Sequence, residues 1–328
     1  LDRPLPIARD VFRSGSITRP TVEQATDALR DFLIACKEYG IDPGEISLFT
    51  TNILIEASNH EIFLNRLQVT TGLDARLIDD GDMTRLVYQI SLRLLKRNPA
   101  LASGRTFVTH IGPGNTRALY FVRGKLAAYS NYRLGIFRAR EAMADLEEGP
   151  TSVSRWSHLE EHIRGVVDQL TKDYSHISID NHVAIGAEIQ SVAPVLSGSP
   201  VKGAYKIPED VLGRFSEKLT RLTPDELVRE LHVQYTGGEG VVPALQTNLA
   251  LARRFGDEMV WIPEGDFQRE LMLDMTLSSP RTITFQEEVV QAAREIGDKY
   301  KTDRKHAEHV SNFARQIFRE LQHLHGLD

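Results

Sequence analysis

Residues 105–135, RTFVTHIGPGNTRALYFVRGKLAAYSNYRLG, constrain the fold more than any other stretch of this chain. Runs rich in β-branched and aromatic residues on either side of a glycine turn predict a strand, the turn, a second strand, and a third strand ending at Leu134-Gly135. Gly112 and Gly114 give that turn a backbone free enough to aim N–H groups at an anion, so it has the form of a phosphate-holding loop. Yet no carboxylate stands beside it in sequence: His110 precedes the turn and Arg117 follows it. A loop that manages a metal ion and an attacking water needs acids, and none is supplied locally.

Strands and helices alternate around this meander. LPIARDVF (5–12) is expected as a strand, and a helix follows over 21–39, opened by a threonine cap and closed by Gly40. ISLFTTNILIEA supplies a strand leading into a second helix, DARLIDD a short strand, and GDMTRLVYQISLRLL a helix with Leu86, Ile90 and Leu94 stacked on one face. NPALASG breaks the chain. Beyond the meander the pattern predicts a helix over 154–174, a strand HVAIGA, further helices, a last strand EMVWIPEG, and a wholly helical end after Thr284. Such alternation argues for an α/β layer architecture.

A net charge of −6 gives no global basic field, which argues against non-specific nucleic-acid binding while leaving a local basic cleft open, and no specific nucleic-acid partner is expected. The single cysteine, Cys36, excludes an intrachain disulfide and any multi-cysteine zinc site; with Ala25, Leu29, Phe32 and Leu33 at helical spacing it reads as a core residue. No apolar run reaches the length of a membrane span and no signal peptide is visible, so no membrane partner is expected and the expected compartment is the cytoplasm. The chain begins Leu-Asp-Arg rather than with methionine, so the sequence need not be the whole gene product.

The order of segments resembles the exopolyphosphatase and guanosine-pentaphosphate phosphohydrolase (Ppx/GppA) family, of the actin-like, ribonuclease-H-like ATPase superfamily. TTNILIEASN resembles its T-x-A-x-R-x-A-x-N segment, LIDDGDMTRL its I-S-G-x-E-E-A-R-L stretch, and THIGPGNTR its D-I-G-G-G-S-T-E loop, with Leu134-Gly135 and Arg138 in the return that follows. The resemblance implies two ribonuclease-H-like lobes with a cleft between them and C-terminal helices. It assigns residues 1–98 to a first lobe lacking its first hairpin, 99–281 to a second lobe, and 282–328 to the opening helices of an HD-type domain. It also implies hydrolysis of a terminal phosphoanhydride of polyphosphate or pppGpp, with a glutamate activating water and magnesium neutralising the oxygens.

The chemical positions of that pattern are substituted. Aligned through Arg85 and Leu86, Met83 stands in the place of the family's catalytic glutamate, with Asp82 one residue earlier as the displaced acid an active enzyme would use. Asp80 and Glu56 are further candidate bases. Ile55 replaces a phosphate-contacting arginine, while Asn59 matches, with helix capping as the alternative reading. His110 and Arg117 replace the loop's aspartate and glutamate; they read as a hydrogen-bonded sheet histidine and a cross-strand surface arginine, with direct contact between Arg117 and an anion as the alternative. In the later loop GAEIQSV, Gly186 is retained, but Glu188 places negative charge where an anion approaches and Ile189 replaces a glycine. IPEGDFQREL keeps Glu264 and Gly265 with Pro263 in place of a serine.

The phosphate-binding residues carried over are therefore Gly112, Gly114, Asn115 and Thr116, with no catalytic residue and no metal ligand, and with magnesium required only if the chain is active. His306, His309, His323 and His325 read as helix-surface residues rather than a metal site. The basic runs RLLKR (93–97) and LARRF (251–255) read as solvated helix faces. The expectation is an exopolyphosphatase-like protein, hydrolytically impaired, that binds polyphosphate or a guanosine polyphosphate, or acts as a regulatory module, and that pairs with itself or with a homologue. The alternatives are an active magnesium-dependent hydrolase and, more distantly, a sugar-kinase-like or actin-like ATPase.

Overall fold

In the computed structural model, the structure describes residues 3, 5–136, 152–222, 224–231, 235–256, 258–276, 287, 290, 293–294, 297 and 301–325. The first part of the chain forms α1 (Ile7–Ser14), α2 (Arg19–Glu38), β1 (Leu48–Thr51), α3 (His60–Thr71) and β2 (Ala75–Ile78), with β1 and β2 paired in parallel. α4 (Asp80–Arg97) and α5 (Pro99–Ser103) lead into the meander β3 (Arg105–Ile111), β4 (Thr116–Val122) and β5 (Lys125–Tyr132). Then come α6 (Ser152–Asp173), β6 (Asn181–Ile185), α7 (Ala187–Ser197), β7 (Ala204–Pro208), α8 (Glu209–Thr220), α9 (Pro224–Leu231), α10 (Tyr235–Phe255), β8 (Met259–Pro263) and α11 (Phe267–Thr276). The described C-terminal helices are α12 (Arg304–Glu320) and α13 (Gln322–His325).

Six strands form one sheet in the order β5-β4-β3-β6-β8-β7, with the meander antiparallel, β3, β6 and β8 parallel, and β7 antiparallel on the edge. Alternation along β3 and β4 divides the sheet between two cores. Val108, Leu119 and Phe121 pack with α4 on one face, and Phe107, Ala118 and Tyr120 pack with α6 and α10 on the other. Phe107, Val108, Leu119 and Phe121 are completely buried, each contributing about 1.5–3 kcal/mol of hydrophobic stabilisation. The same alternation puts Arg117 on the α4 face, together with His110, its register partner on β3.

The α/β class and two-lobe arrangement agree with the sequence expectation, and four local readings are corrected. LPIARDVF is a helix, not a strand: Val11 and Phe12 pack against Leu54 and Ile53 through helical spacing. NPALASG contains the short helix α5, started by Pro99. AYKIP, passed over in the sequence, is strand β7. Cys36 is half-buried rather than a core residue. Arg138 and most of the stretch 285–300 lie outside the described residues. Among the described residues, no helix is long and apolar enough to cross a membrane.

Candidate functional site

Where the end of β1, the start of α4, the 112–115 turn, the start of α7 and α11 come together, they enclose a cavity of about 150 Å³. Its lining includes Asn52, Met83, His110, Asn115, Arg117 and Glu188. Period-two alternation delivers His110 and Arg117 to it from neighbouring strands. Helix starts deliver Met83 and Glu188.

Arg117 is only 3% exposed in its side chain and is paired with Asp80, whose side chain remains 46% exposed. Asp80 comes from the first turn of α4, capped by Asp79 through a 2.7 Å bond from the Asp82 N–H. The same Asp80 oxygen that accepts from Arg117 also accepts from Asn52 Nδ2 at 2.7 Å and Asn115 Nδ2 at 3.3 Å. Three donors from three chain segments thus converge on one carboxylate oxygen, a geometry suited to an oxyanion. The acid missing from the sequence neighbourhood of the turn arrives from 37 residues away. Arg117 is therefore not a surface arginine. Its Nε is buried without a hydrogen-bond partner, and burial lowers its pKa while Asp80 acts in the opposite direction.

The turn itself is held by its own bonds. The Gly112 N–H donates to the Asn115 carbonyl at 2.9 Å, and the Ile136 N–H donates to the Gly112 carbonyl at 3.0 Å. Pro113 has no N–H to offer, and the Thr116 hydroxyl donates to the Leu134 carbonyl at 2.6 Å. Of the four residues expected to bind phosphate, Asn115 thus presents a side-chain donor to the cleft, while Gly112 and Thr116 spend theirs inside the turn. Gly114 sits beneath Phe12 and Ile53. Gly135 packs so tightly on the turn that any Cβ there would run into the backbone of Pro113 and Gly114, which explains the Leu-Gly pair that ends the meander.

Met83 is buried and lines the cavity. Asp82 is not part of the lining; its carboxylate lies 3.5 Å from Arg85, which pairs with the buried Asp274 of α11 at 2.7 Å. Glu56 lies 3.4 Å from Arg133 and is likewise outside the lining. His110 is not a hydrogen-bonded sheet histidine at Nδ1, which is buried without a partner; its ring stacks on Phe267 with centroids 4.6 Å apart. Burial, with the Arg117 charge beside it, pushes the His110 pKa down to about 3, so the ring is neutral. Asn59 does not cap α3 with its side chain: it bonds both backbone groups of Ile17, at 2.8 and 2.9 Å. Ile55 is exposed and outside the lining.

On the opposite wall, Gly186 adopts φ 149° with the Ile111 carbonyl 3.0 Å from where a Cβ would sit, so only glycine fits there. Its N–H is taken by the Gln190 side chain at 3.2 Å, and Gln190 donates in turn to the Gly265 carbonyl at 3.1 Å. Glu188, in the first turn of α7, is half-buried, and burial pushes its carboxyl up to about 7. Asn52 escaped the sequence reading altogether, because a lone asparagine after a strand carries no spacing signal.

Three arginines of the two basic runs are paired: Arg93 with Glu270 at 2.5 Å, Arg253 with Glu209 at 2.6 Å, and Arg254 with Asp168 at 3.4 Å. Among the described residues no group of three or more His, Cys, Asp or Glu side chains is placed to hold a metal ion. Magnesium, which the resemblance implies, wants several hard oxygen ligands. Among the described residues the cavity lining offers one carboxyl, Glu188, raised by burial to about 7, and the neighbouring Asp80 carboxylate is already taken by the buried Arg117. These residues do not fit the ion.

Two α/β lobes about a cleft, with a glycine turn on one wall and helix starts on the others, define an actin-like ATPase type of fold. The family model of the Ppx/GppA phosphatases matches residues 3–278, and the chain belongs to that family. Its structure is similar to that of the Aquifex aeolicus Ppx/GppA family member (TM-score 0.58, 15% identity, 83% of this chain and 86% of that one). It is similar also to an exopolyphosphatase from Cytophaga hutchinsonii (TM-score 0.61, 13% identity, 80% and 84%). No match is found among curated proteins.

Proposed function

We propose that this chain is an exopolyphosphatase-like protein that holds a phosphorylated ligand, polyphosphate or a guanosine polyphosphate, in its cleft but hydrolyses it poorly or not at all. The observation that carries this reading is Met83: a thioether lines the cavity at the position aligned with the family's glutamate, and it cannot take a proton from water. The donors for a phosphoryl group are Asn52, Asn115 and Arg117, with Gly112, Gly114 and Thr116 shaping the turn that presents Asn115. The expected result is binding of a triphosphate-bearing ligand by calorimetry with no phosphate released in the presence of magnesium. Rapid magnesium-dependent release, abolished by Asp82→Asn, would establish the active alternative instead.

A second reading rests on Glu188. If the cleft turns over substrate, Glu188 is better placed than Asp82 to act as its base, since it lines the cavity and titrates near neutrality. Phosphate release that survives Asp82→Asn and is lost in Glu188→Gln would identify it. The reading also includes self-association through the C-terminal helix α12, supported by the exposed Val310, Phe313 and Ile317, which recur at three- to four-residue spacing. Sedimentation of a Phe313→Glu/Ile317→Glu variant tests it, a monomer being expected where the unaltered chain is dimeric.

A further inference from the structure

We infer that Asp80 is a tethered carboxylate occupying the oxyanion subsite of the cleft, and that a single terminal phosphoryl group binds by displacing it. The inference rests on the ligand reading above and adds a resident competitor to it.

Asn52, Asn115 and Arg117 all line the cavity and all donate to one oxygen of Asp80. They come from the end of β1, the glycine turn and β4, so nothing local forces them to converge; the carboxylate organises them. A phosphoryl oxygen asks for the same set, a guanidinium plus neutral N–H donors. The pair is also unequally anchored. Arg117 is nearly buried and has a further unpartnered N–H at Nε, whereas Asp80 is about half exposed at the start of a helix, where rotation about its own side chain carries it into solvent. Arg117 is thus the fixed element and Asp80 the exchangeable one.

In the family pattern, Asp80 falls on the glycine of I-S-G-x-E-E and Arg117 on the glutamate that ends D-I-G-G-G-S-T-E. The acid and the base of this chain thus both stand where the family pattern has other residues, and in this structure they pair with each other. With Arg117 as the single cation among the described lining residues and Glu188 on the far wall, the subsite suits one terminal phosphoryl group better than a run of them.

The test is titration of inorganic phosphate, at fixed ionic strength and neutral pH, into the full chain and its Asp80→Ala, Asp80→Asn and Asp82→Asn variants, read by calorimetry and by the phosphate-induced rise in Tm. Asp80→Ala is expected to bind phosphate at least tenfold more tightly than the unaltered chain and to gain more in Tm, with Asp80→Asn in between. Adding Arg117→Gln to Asp80→Ala is expected to abolish the gain. Asp82→Asn removes the same charge two residues away without freeing the donors, and an equal gain from it would reduce the effect to net charge and overturn the inference. Equal, measurable binding by the unaltered chain and Asp80→Ala would overturn it while leaving the cleft as a ligand site. Absence of binding from every variant would overturn both.

Discussion

Two arginine–aspartate pairs flank the start of α4, and they have opposite characters. Arg85 and Asp274 are 13% and 6% exposed, tie α4 to α11 across 189 residues, and are joined by Gln89, whose amide, oriented to suit, donates to Asp274 at 3.0 Å and accepts from Arg85 at 3.3 Å. That pair is enclosed, with Asp274 Oδ1 accepting from Arg85 and Oδ2 in ion-pair contact with the same guanidinium at 2.7 Å. Arg117 is buried more deeply than Arg85, but its partner Asp80 is about half exposed and shares its oxygen among three donors. The first pair behaves as a clamp and the second as a contact that another anion can take over. Burial of one charge is costly unless a partner is always present, so a half-exposed partner marks a place where the partner can change.

The sharpest way to break this comparison is to remove Asp274. Asp274→Ala leaves Arg85 in a nearly closed site with only the more distant Asp82 carboxylate, 3.5 Å away, and is expected to cost about 3 kcal/mol of unfolding free energy, measured by urea denaturation, while the double replacement Arg85→Met/Asp274→Leu recovers most of the loss. Gly135→Ala comes next, at about 3 kcal/mol. It drives a methyl group into the backbone of the turn, so the loss should be accompanied by loss of phosphate binding, unlike that of Asp274→Ala.

Asp80→Ala should cost less, about 1–2 kcal/mol, because solvent screens the exposed half of the pair; phosphate should restore the loss here and not in Asp274→Ala. A pH series sharpens the contrast from the opposite wall. Glu188 has a folded pKa near 7, raised above the ordinary glutamate range by burial, so the folded state disfavours its charged form. That penalty is absent below about pH 4.5, grows up to pH 7 and is complete above it. Glu188→Gln is therefore expected to be more stable than the unaltered chain by about 1–2 kcal/mol at pH 8, with the difference vanishing near pH 4. His110 and His182, pushed by burial to about 3 and about 4, act in the other direction. Their contribution is intact above about pH 6.5 and is lost as the pH falls toward their folded values, so His110→Phe should flatten the acid limb of the stability curve.

Much of the frame could be read from residue order. The meander, the strands that follow it and the α4 stripe announce themselves by periodicity. LPIARDVF misled because its short apolar run fits either period; the contacts of Val11 and Phe12 with Leu54 and Ile53 decide for the helix. β7 is five residues long and closed by a proline, too short for alternation to stand out. The site was less legible than the frame. Asp80 and Arg117 are 37 residues apart and Asn52 a further 28 before Asp80, so only the fold brings them together. A buried arginine and a surface arginine look alike in a strand whose inward face is not yet known.

The measurement that bears most directly on the account is phosphate release from long-chain polyphosphate and from pppGpp, with magnesium, by the unaltered chain and by Met83→Glu. The account predicts silence from the unaltered chain and slow but measurable turnover from Met83→Glu, because the variant returns an acid to a cleft whose donors are still in place. Ready hydrolysis by the unaltered chain, unchanged by Met83→Glu, would contradict it and show that another acid performs the reaction.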